Sequence, residues 1–174
     1  MFPMDFRYST RRLMIRRMVP DDWRDLYEYL SDPEVVRYEP YDVYDRSDAM
    51  LEAANRANSD SFLAVCLLTN GKMIGNLYVA RLDAGYYEVG YIFNRRYHGK
   101  NYAFESCHAL LAFLFNRMGA VRVIAQCDAR NIRSMHLMER LGMTEENRFM
   151  GKDFTGAEKL AESCQFGIDC RQWR

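Results

Sequence analysis

A short basic turn between two regular segments is the part of the sequence best equipped for binding chemistry. It reads Arg95-Arg96-Tyr97-His98-Gly99-Lys100-Asn101-Tyr102-Ala103. A strand pattern rich in apolar and aromatic residues precedes the turn, and an apolar helical stripe follows it. Backbone N–H groups at the start of a helix lack intrahelical partners, and the helix dipole adds partial positive charge. We therefore expect the turn to hold the phosphate groups of a cofactor.

Two motifs lie at strand-to-helix junctions. They are Arg96-x-x-Gly99-x-Asn101 and Asn131-x-x-Ser134-x-x-Leu137-x-x-x-Leu141-Gly142-Met143. Together they resemble the GNAT acyltransferases, whose acetyl-CoA loop reads Gln/Arg-x-x-Gly-x-Gly/Ala and whose fourth helix carries Asn-x-x-Ala/Ser before Leu-Gly-Phe. Asn101 replaces the last small residue of the loop, and asparagine tolerates a left-handed backbone better than most residues.

The resemblance covers nearly the whole chain and is strongest to the RimJ/RimL-like branch, which the opening Arg11-Arg12-Leu13-Met14-Ile15-Arg16 and Trp173 also fit. It implies that backbone amides near Ile92 and Phe93 stabilise an oxyanion where their strand separates from the next. Gly90 is consistent with a bulge there. The residues implied to bind the cofactor pyrophosphate are Arg96, His98, Gly99, Lys100, Asn101, Tyr102 and Ala103. Asn131 is expected to cap the fourth helix and to touch the cofactor.

Acyl transfer from a thioester to an amine needs a base, because a primary amine has a pKa of about 10.4 and is mostly charged at neutral pH. The resemblance implies Glu88, on the strand before the loop, as that base. Glu88 could equally lie on a solvated face or pair with an arginine across the sheet. Asp153 and Glu158, near the final hairpin, are rival carboxylates.

The departing thiolate benefits from a hydrogen-bond donor. Many GNAT enzymes use a tyrosine at the position that Met138 occupies here, and a methionine cannot donate a proton. In the branch that this chain resembles, the serine of Asn-x-x-Ser is the usual candidate, which is Ser134. Asn131, Ser134 and Met138 fall on one helical face. The alternative is that Ser134 bonds back to a carbonyl of its own helix.

A tyrosine-rich segment between the first helices could contact the acceptor. The resemblance implies that this loop covers the substrate, with Glu39 and Tyr41 as contact residues. The carboxylates of Glu39 and Asp42 would attract a cationic amine, and the aromatic rings could hold one. The alternative is that these tyrosines pack on the edge of the sheet.

Composition narrows the classes of function. The 174 residues carry 24 basic and 24 acidic side chains, which argues against a dedicated nucleic-acid binder. No segment approaches a membrane span or a signal peptide. The odd number of scattered cysteines favours a reducing cytoplasm, with Cys66, Cys107 and Cys127 in the core. The histidine spacing predicts no metal site.

The elements that must position these residues follow from periodicity and turn signals. A strand is predicted at Leu13–Met18, followed by an amphipathic helix that Asp32-Pro33 ends. Ser47 is predicted to cap a helix that reaches about Asn58. Three strands joined at Asn70-Gly71 and Asp83-Ala84-Gly85 lead to the basic turn. The later elements are a helix over Ala103–Met118, a strand over Val121–Cys127, a helix over Asn131–Arg140, and strands over Glu145–Asp153 and Glu158–Asp169.

This order, βαα-βββ-αβα-ββ, predicts an α/β (α+β) fold with a mixed sheet flanked by helices in one domain over residues 1–174, in agreement with the GNAT fold. We expect acetyl-CoA as cosubstrate, no metal, and a primary-amine acceptor that is a protein N-terminus or a small molecule. Transfer is expected to be direct, within a ternary complex, by a monomer or homodimer. The alternative is a catalytically silent GNAT-like module that binds acyl-CoA or a protein.

Overall fold

The computed structural model describes residues 1–152 and 160–173. Its strands are β1 (Arg7–Ser9), β2 (Leu13–Arg17), β3 (Phe62–Leu67), β4 (Met73–Asp83), β5 (Tyr86–Phe93), β6 (Arg122–Asp128), β7 (Thr144–Lys152) and β8 (Leu160–Asp169). Its helices are α1 (Trp23–Leu30), α2 (Pro33–Val36), α3 (Arg46–Asn58), α4 (Tyr102–Arg117) and α5 (Ile132–Arg140). Short 3-10 turns lie at Pro20–Asp22 and Arg95–Tyr97. The predicted order of elements is confirmed apart from two short additional elements, β1 and α2, that the pattern did not indicate.

The strands form a mixed sheet in the order β1-β2-β3-β4-β5-β6-β8-β7. Strands β5 and β6 pair in parallel, from Tyr86 opposite Arg122 to Val89 opposite Ala125. Parallel neighbours need a crossover connection, and α4 supplies it, which confirms the predicted strand-helix-strand unit. Antiparallel ladders join β1 to β2, β2 to β3, β3 to β4, β6 to β8 and β7 to β8.

The chain is divided into two compact units. The first contains Met1–Arg37, Asp42–Tyr78 and Tyr91–Ser106. Strand β2 of this unit buries alternate residues, as a strand with one covered face does. Strand β3 is buried without a break from Leu63 to Cys66, which is typical of a strand covered on both faces.

The second unit contains Tyr38–Tyr41, Val79–Gly90 and Cys107–Arg174. Its core is built from the apolar stripe of α4 and the inward residues of β6 and β8. The fully or nearly fully buried members are Leu110, Leu111, Leu114, Val123, Ala125, Phe166 and Ile168. The predicted stripe of α4 is therefore correct at its centre, whereas Phe115 and Met118 near the end of the helix are only half-buried.

The start of α3 differs from the prediction that Ser47 is its cap. The Asp45 carboxylate accepts a hydrogen bond from the Asp48 N–H at 2.8 Å, and the Asp48 carboxylate accepts one from the Asp45 N–H at 3.0 Å. This reciprocal pair satisfies two backbone donors at the helix start. Ser47 lies inside the first turn and is exposed. The prediction was wrong by two residues because two aspartates three residues apart cap more completely than one serine.

The first amphipathic helix ends as predicted, before Asp32-Pro33. The short helix α2, which the pattern did not indicate, starts there. The Asp32 side chain accepts a hydrogen bond from the Glu34 N–H at 3.0 Å, so this aspartate is an N-cap. Proline has no N–H to donate. It therefore cannot continue the previous helix, but it suits the first position of a new one, where the N–H would have no partner within the helix.

The predicted final strands correspond to β7 and β8, which pair in antiparallel register from Thr144 opposite Gly167 to Lys152 opposite Leu160. The predicted turn at Thr155-Gly156 and the rival carboxylates Asp153 and Glu158 lie outside the described residues.

Candidate functional site

The turn after β5 has two backbone positions in the left-handed region. Gly99 has a φ of 73° and Asn101 a φ of 67°. Among the described residues other than glycine, only Asn101 has a positive φ. Open space surrounds the position that a Cβ at Gly99 would take, so its backbone conformation is what requires glycine there. Asparagine is among the residues that tolerate this region best, which explains how it can replace a small residue at position 101.

Helix α4 begins directly after this turn and runs for 16 residues. The Glu105 N–H donates to the Asn101 carbonyl at 3.0 Å. The amides of Tyr102 and Ala103 precede this bond, so they have no acceptor within the helix. With the helix dipole, they make the turn suited to an anion.

Cationic side chains surround the turn, and two of them are paired in this structure. Arg96 donates to the Glu28 carboxylate at 3.0 Å and is 78% exposed. Arg95 donates to Asp32 at 2.9 Å. Ion pairs of such exposed arginines contribute only about 0–1 kcal/mol, so an anionic ligand can draw these guanidinium groups away. The Lys100 ammonium lies 5.4 Å from the centre of the Tyr97 ring.

His98 links the turn to the end of β5. Its Nε2 lies 2.9 Å from the Phe93 carbonyl oxygen. A carbonyl only accepts, so Nε2 carries the proton of this hydrogen bond. In the neutral ring the other nitrogen is then an acceptor, and donation to a phosphate through Nδ1 requires the doubly protonated imidazolium. His98 is exposed, as predicted for a residue in a polar turn.

The end of β5 lies beyond its parallel ladder with β6. That ladder stops at Val89 opposite Ala125, and Gly90 is the next residue. Ile92 and Phe93 follow and are buried. Position 75 on β4 faces them closely, because a Cβ built on Gly75 would lie 2.4 Å from the Phe93 ring and 2.6 Å from the Ile92 carbonyl oxygen. A glycine at position 75 is therefore required for β4 and β5 to approach this closely.

Glu88 lies in the middle of the ladder, opposite Ile124, and is half-buried. Burial raises the pKa of its carboxyl group above the ordinary value. No salt bridge or side-chain hydrogen bond involves Glu88 within residues 1–152 and 160–173. The alternative of an arginine partner across the sheet is thus not observed among these residues. A half-buried carboxylate with a raised pKa and no cationic partner is typical of a functional group.

Helix α5 carries the second motif. The Asn131 side chain accepts a hydrogen bond from the Ser134 N–H at 3.2 Å, so the predicted cap is confirmed. Ser134 is half-buried, and its hydroxyl lies close enough to the Cys127 thiol to favour the thiolate form of that cysteine. Met138 is fully buried, which places a core side chain where many GNAT enzymes have their tyrosine.

Cys127 lies directly opposite Cys164 on β8, and their sulfur atoms are 3.5 Å apart without a disulfide. Burial, together with the neighbouring Cys164 thiol, raises the pKa of Cys127 to about 12, and the nearby Ser134 hydroxyl acts in the opposite direction. Cys66 and Cys107 are buried as predicted, whereas Cys127 is only half-buried. Burial raises the pKa of Cys66 to about 11.

The predicted acceptor residues Glu39 and Tyr41 are half-buried in the loop after α2. Next to them in the chain, an acidic concavity of about 290 Å³ is lined by Asp42, Val43, Tyr44, Asp48, Leu51 and Glu52. Burial and the nearby Glu52 charge raise the pKa of Tyr44. Carboxylates beside apolar side chains form a surface that suits a cationic group with an apolar stem.

Two contacts of the turn were not predicted from the sequence. Glu28 pairs with Arg96, and Arg12 contacts both the turn and Glu105 in the first turn of α4. Acidic residues are common in the first turn of a helix, so Glu105 alone gave no signal of a second role. The sequence indicated Arg12 only as part of the opening motif of the family.

Two kinds of feature are absent from the described residues. These residues contain no group of three or more His, Cys, Asp or Glu side chains that could hold a metal ion. None of the helices in this part of the chain is both long and apolar enough for a membrane span.

Comparison with known proteins identifies the family. The family model of the acetyltransferase (GNAT) domain matches residues 12–144. The chain is 34% identical over 143 residues to the uncharacterized N-acetyltransferase YnaD of Bacillus subtilis (strain 168), and this match covers 81% of this chain and 84% of YnaD.

Solved structures agree with this assignment. An acetyltransferase of the GNAT family from Bacillus anthracis matches with a TM-score of 0.88 at 27% identity, over 95% of this chain and 99% of that chain. The fold is also shared with spermidine N-acetyltransferase from Vibrio cholerae, whose structure contains CoA and spermine. There the TM-score is 0.78 at 17% identity, over 94% of this chain and 98% of that chain. The chain therefore belongs to the GNAT family and is an acetyl-CoA-dependent N-acetyltransferase.

Proposed function

We propose that this enzyme transfers the acetyl group of acetyl-CoA to a primary amine, by direct attack within a ternary complex, as a member of the RimJ/RimL-like branch. The acceptor is a protein N-terminus or a small molecule. Glu88 is the observation that carries this proposal, since a half-buried carboxylate without a cationic partner is suited to removing a proton from an amine.

The basic turn is the proposed site for the pyrophosphate of acetyl-CoA. Gly99 and Asn101 bend the backbone, and the amides of Tyr102 and Ala103 open α4. These features fit a diphosphate, because they combine backbone donors that have no acceptor within the helix with a helix dipole. Arg96 and Lys100 add side-chain donors from the same turn, and His98 adds one through Nδ1 when its ring is the doubly protonated imidazolium. Asn131, the cap of α5, is proposed as a further cofactor contact on the family pattern.

Glu88 is proposed as the general base. Burial raises its pKa and with it the proton affinity of the carboxylate. A primary amine with a pKa of about 10.4 arrives protonated, so a base must act before the nitrogen can attack. Asp153 and Glu158 lie outside the described residues and stay as rivals for this role.

Direct transfer is favoured over an acetyl-cysteine route. A thiolate is the nucleophilic form of cysteine, and a raised pKa leaves little of it at neutral pH. Burial raises the pKa of Cys66 to about 11, and burial with the Cys164 thiol raises that of Cys127 to about 12. Both are thus poor nucleophiles, and Cys107 and Cys164 are buried.

Acetyl-CoA, when bound, supplies the reactive thioester. We assign the backbone amides of Ile92 and Phe93 to the oxyanion that develops on the acetyl oxygen. Ser134 is assigned to the departing sulfur. A serine hydroxyl is a weak acid, so it would stabilise the thiolate through a hydrogen bond more than by full proton transfer.

Glu39 and Tyr41 are proposed to contact the acceptor. The acidic concavity over residues 42–52 supports a cationic acceptor, since it adds three carboxylates beside Val43 and Leu51. An amine on an apolar stem would place its charge beside the carboxylates of the concavity and its stem against Val43 and Leu51. Polyamines and the N-termini of peptides both have this chemistry.

Isothermal titration with acetyl-CoA, followed by a mass-spectrometric screen of amines, tests the proposal. We expect saturable binding and acetylation of a primary amine, with intersecting lines in initial-velocity plots. Intact-mass analysis with acetyl-CoA alone should detect no acetylated enzyme. Parallel velocity lines with an acetylated cysteine would replace direct transfer by a two-step route. Lack of acetyl-CoA binding would remove the proposal itself.

A further inference from the structure

Arg12, at the residue before β2, makes contacts in three directions. Its Nε donates to Glu105 Oε2 at 2.7 Å, and its backbone N–H donates to Glu105 Oε1 at 2.9 Å. A terminal nitrogen of its guanidinium donates to the Lys100 carbonyl at 3.1 Å. The guanidinium also lies over the Tyr102 ring, 4.4 Å from its centre. One side chain thus contacts the turn, the first residue of α4 and the first turn of that helix.

The bond to Lys100 fixes the plane of the next peptide. No peptide bond of the described chain is cis, so the carbonyl of Lys100 and the N–H of Asn101 point in opposite directions. Holding the carbonyl toward Arg12 therefore points the Asn101 N–H away from Arg12, within the same peptide plane. Asn101 has a left-handed backbone and is the last residue before α4. The orientation of the Lys100–Asn101 peptide plane therefore sets the direction in which the chain enters this helix.

The bonds to Glu105 control a negative charge at the start of α4. Burial tends to raise the pKa of Glu105, but hydrogen bonds from Thr10 and Arg12 outweigh it and hold the pKa below the ordinary value. The carboxylate is therefore ionised at neutral pH. An unpaired anion in the first helical turn would oppose a second anion at the same helix end. Arg12 offsets that charge through a close pair with good geometry.

We infer that Arg12 is a positioning residue for the acetyl-CoA pyrophosphate, acting through the Lys100 carbonyl and through Glu105. This inference rests on the proposed function of the turn. Arg12 orients the peptide between Lys100 and Asn101 and neutralises Glu105, so that the helix start can accept a diphosphate. Its effect should therefore appear only with substrates that carry the diphosphate.

Steady-state kinetics of Arg12→Met with two acetyl donors test the inference. With acetyl-CoA, we expect KM to rise on the order of tenfold or more, because charge-assisted bonds are lost, with a much smaller change in kcat. With acetyl-pantetheine, which has the thioester but no diphosphate, kcat/KM should match the wild type. The exposed neighbour Arg11 provides the matched control, and Arg11→Met should leave both donors unaffected. An equal loss with both donors would indicate a merely structural role and would overturn the inference.

A double-mutant cycle separates charge from packing. Glu105→Gln removes the anion, so the KM penalty of Arg12→Met should shrink severalfold in that background. Arg12→Lys keeps a cation and should recover part of the loss. Purely additive effects of Arg12→Met and Glu105→Gln would refute the electrostatic part of the inference. If the wild type and Arg12→Met bind acetyl-CoA equally well, the inference is wrong but the proposed function stands. If the wild type does not bind acetyl-CoA, the proposed function is wrong.

Discussion

Glu88 combines three properties that rarely occur together in a structural residue. It is half-buried, its pKa is raised by burial, and no described side chain neutralises it. Burying a carboxylate without a partner disfavours its charged form. A chain that keeps such a residue in a strand gives up stability at that position, and this is a common feature of functional sites.

Glu88→Gln is expected to lower kcat on the order of a hundredfold, the usual contribution of a general base. The acidic limb of kcat/KM against pH, set by a pKa above the ordinary glutamate value, should disappear in the variant. The exposed Glu139, changed to glutamine, is the control for loss of a carboxylate. Wild-type activity of Glu88→Gln would move the base elsewhere, with Asp153 and Glu158 next in line.

The same substitution has an opposite consequence for stability. The folded pKa of Glu88 is raised, so its contribution to stability is fully present below its unfolded pKa and is lost as pH rises through the folded pKa. At neutral pH, Glu88→Gln should therefore have a larger free energy of unfolding in urea than the wild type. The gap should close below about pH 4.3, where the unfolded carboxyl is also protonated. A less stable variant at neutral pH would contradict this.

Ser134→Ala is expected to lower kcat roughly tenfold, the value of one hydrogen bond to a group that gains charge. A thioester with a more acidic leaving thiol releases a more stable thiolate, which depends less on a hydrogen bond from Ser134. The loss of kcat in Ser134→Ala should therefore be smaller with such a donor. Ser134→Thr keeps the hydroxyl and serves as the comparison. An unchanged kcat in Ser134→Ala would return Ser134 to a local role beside Cys127.

At the level of elements, the sequence predicted nearly all strands and helices, since their apolar periods are regular and glycines mark the turns. Gly71, Gly85, Gly119 and Gly142 all have the positive φ that a turn or helix end requires. The exceptions are short. Strand β1 has three residues and no apolar period, and helix α2 has four. The start of α3 depended on which of several polar residues caps it.

The cap of α3 gives a test with an internal control. Asp45→Ala should destabilise the protein by about 1 kcal/mol, because it removes the acceptor for the Asp48 N–H. Ser47→Ala should change stability by no more than about 0.5 kcal/mol, since Ser47 is exposed inside the first turn. Urea unfolding curves of the two variants measure both values. The reverse order would restore Ser47 as the cap.

The left-handed residue in the basic turn predicts an order of affinities. Asn101→Gly should bind acetyl-CoA more tightly than Asn101→Val by about tenfold, because a branched residue at a φ of 67° is strained by roughly 1–2 kcal/mol. Isothermal titration measures both dissociation constants. Equal affinities would mean that the backbone of the turn relaxes freely and that its conformation is not set before binding.

At the level of the whole molecule, contacts between residues far apart in the chain could not be predicted from the sequence. The predicted turn was located from local motifs, but its partners Arg12 and Glu28 lie far earlier in the chain. A charged residue in a strand or helix is most often simply solvated, so no local pattern marks it as a partner. Only the fold brings Arg12 to Lys100 and Glu105.

Binding of acetyl-CoA should stabilise the folded protein as a whole. At a free concentration of about 100 times Kd, the gain is about 2.7 kcal/mol. For a chain of this length, that corresponds to a rise in Tm of roughly 5–10 °C. Differential scanning fluorimetry measures the shift, and acetyl-pantetheine at the same concentration should give a smaller one, because without the diphosphate it binds more weakly. Equal shifts for both donors would show that the basic turn adds little affinity.

Gly75 has a consequence for how this enzyme can vary over generations. Even one methyl group there would collide with the ring of Phe93 and the carbonyl oxygen of Ile92. Descendants of this gene can therefore change many surface positions, but a change at codon 75 would distort the neighbouring strand. Natural selection should keep this site invariant even though its residue has no side chain with which to do chemistry.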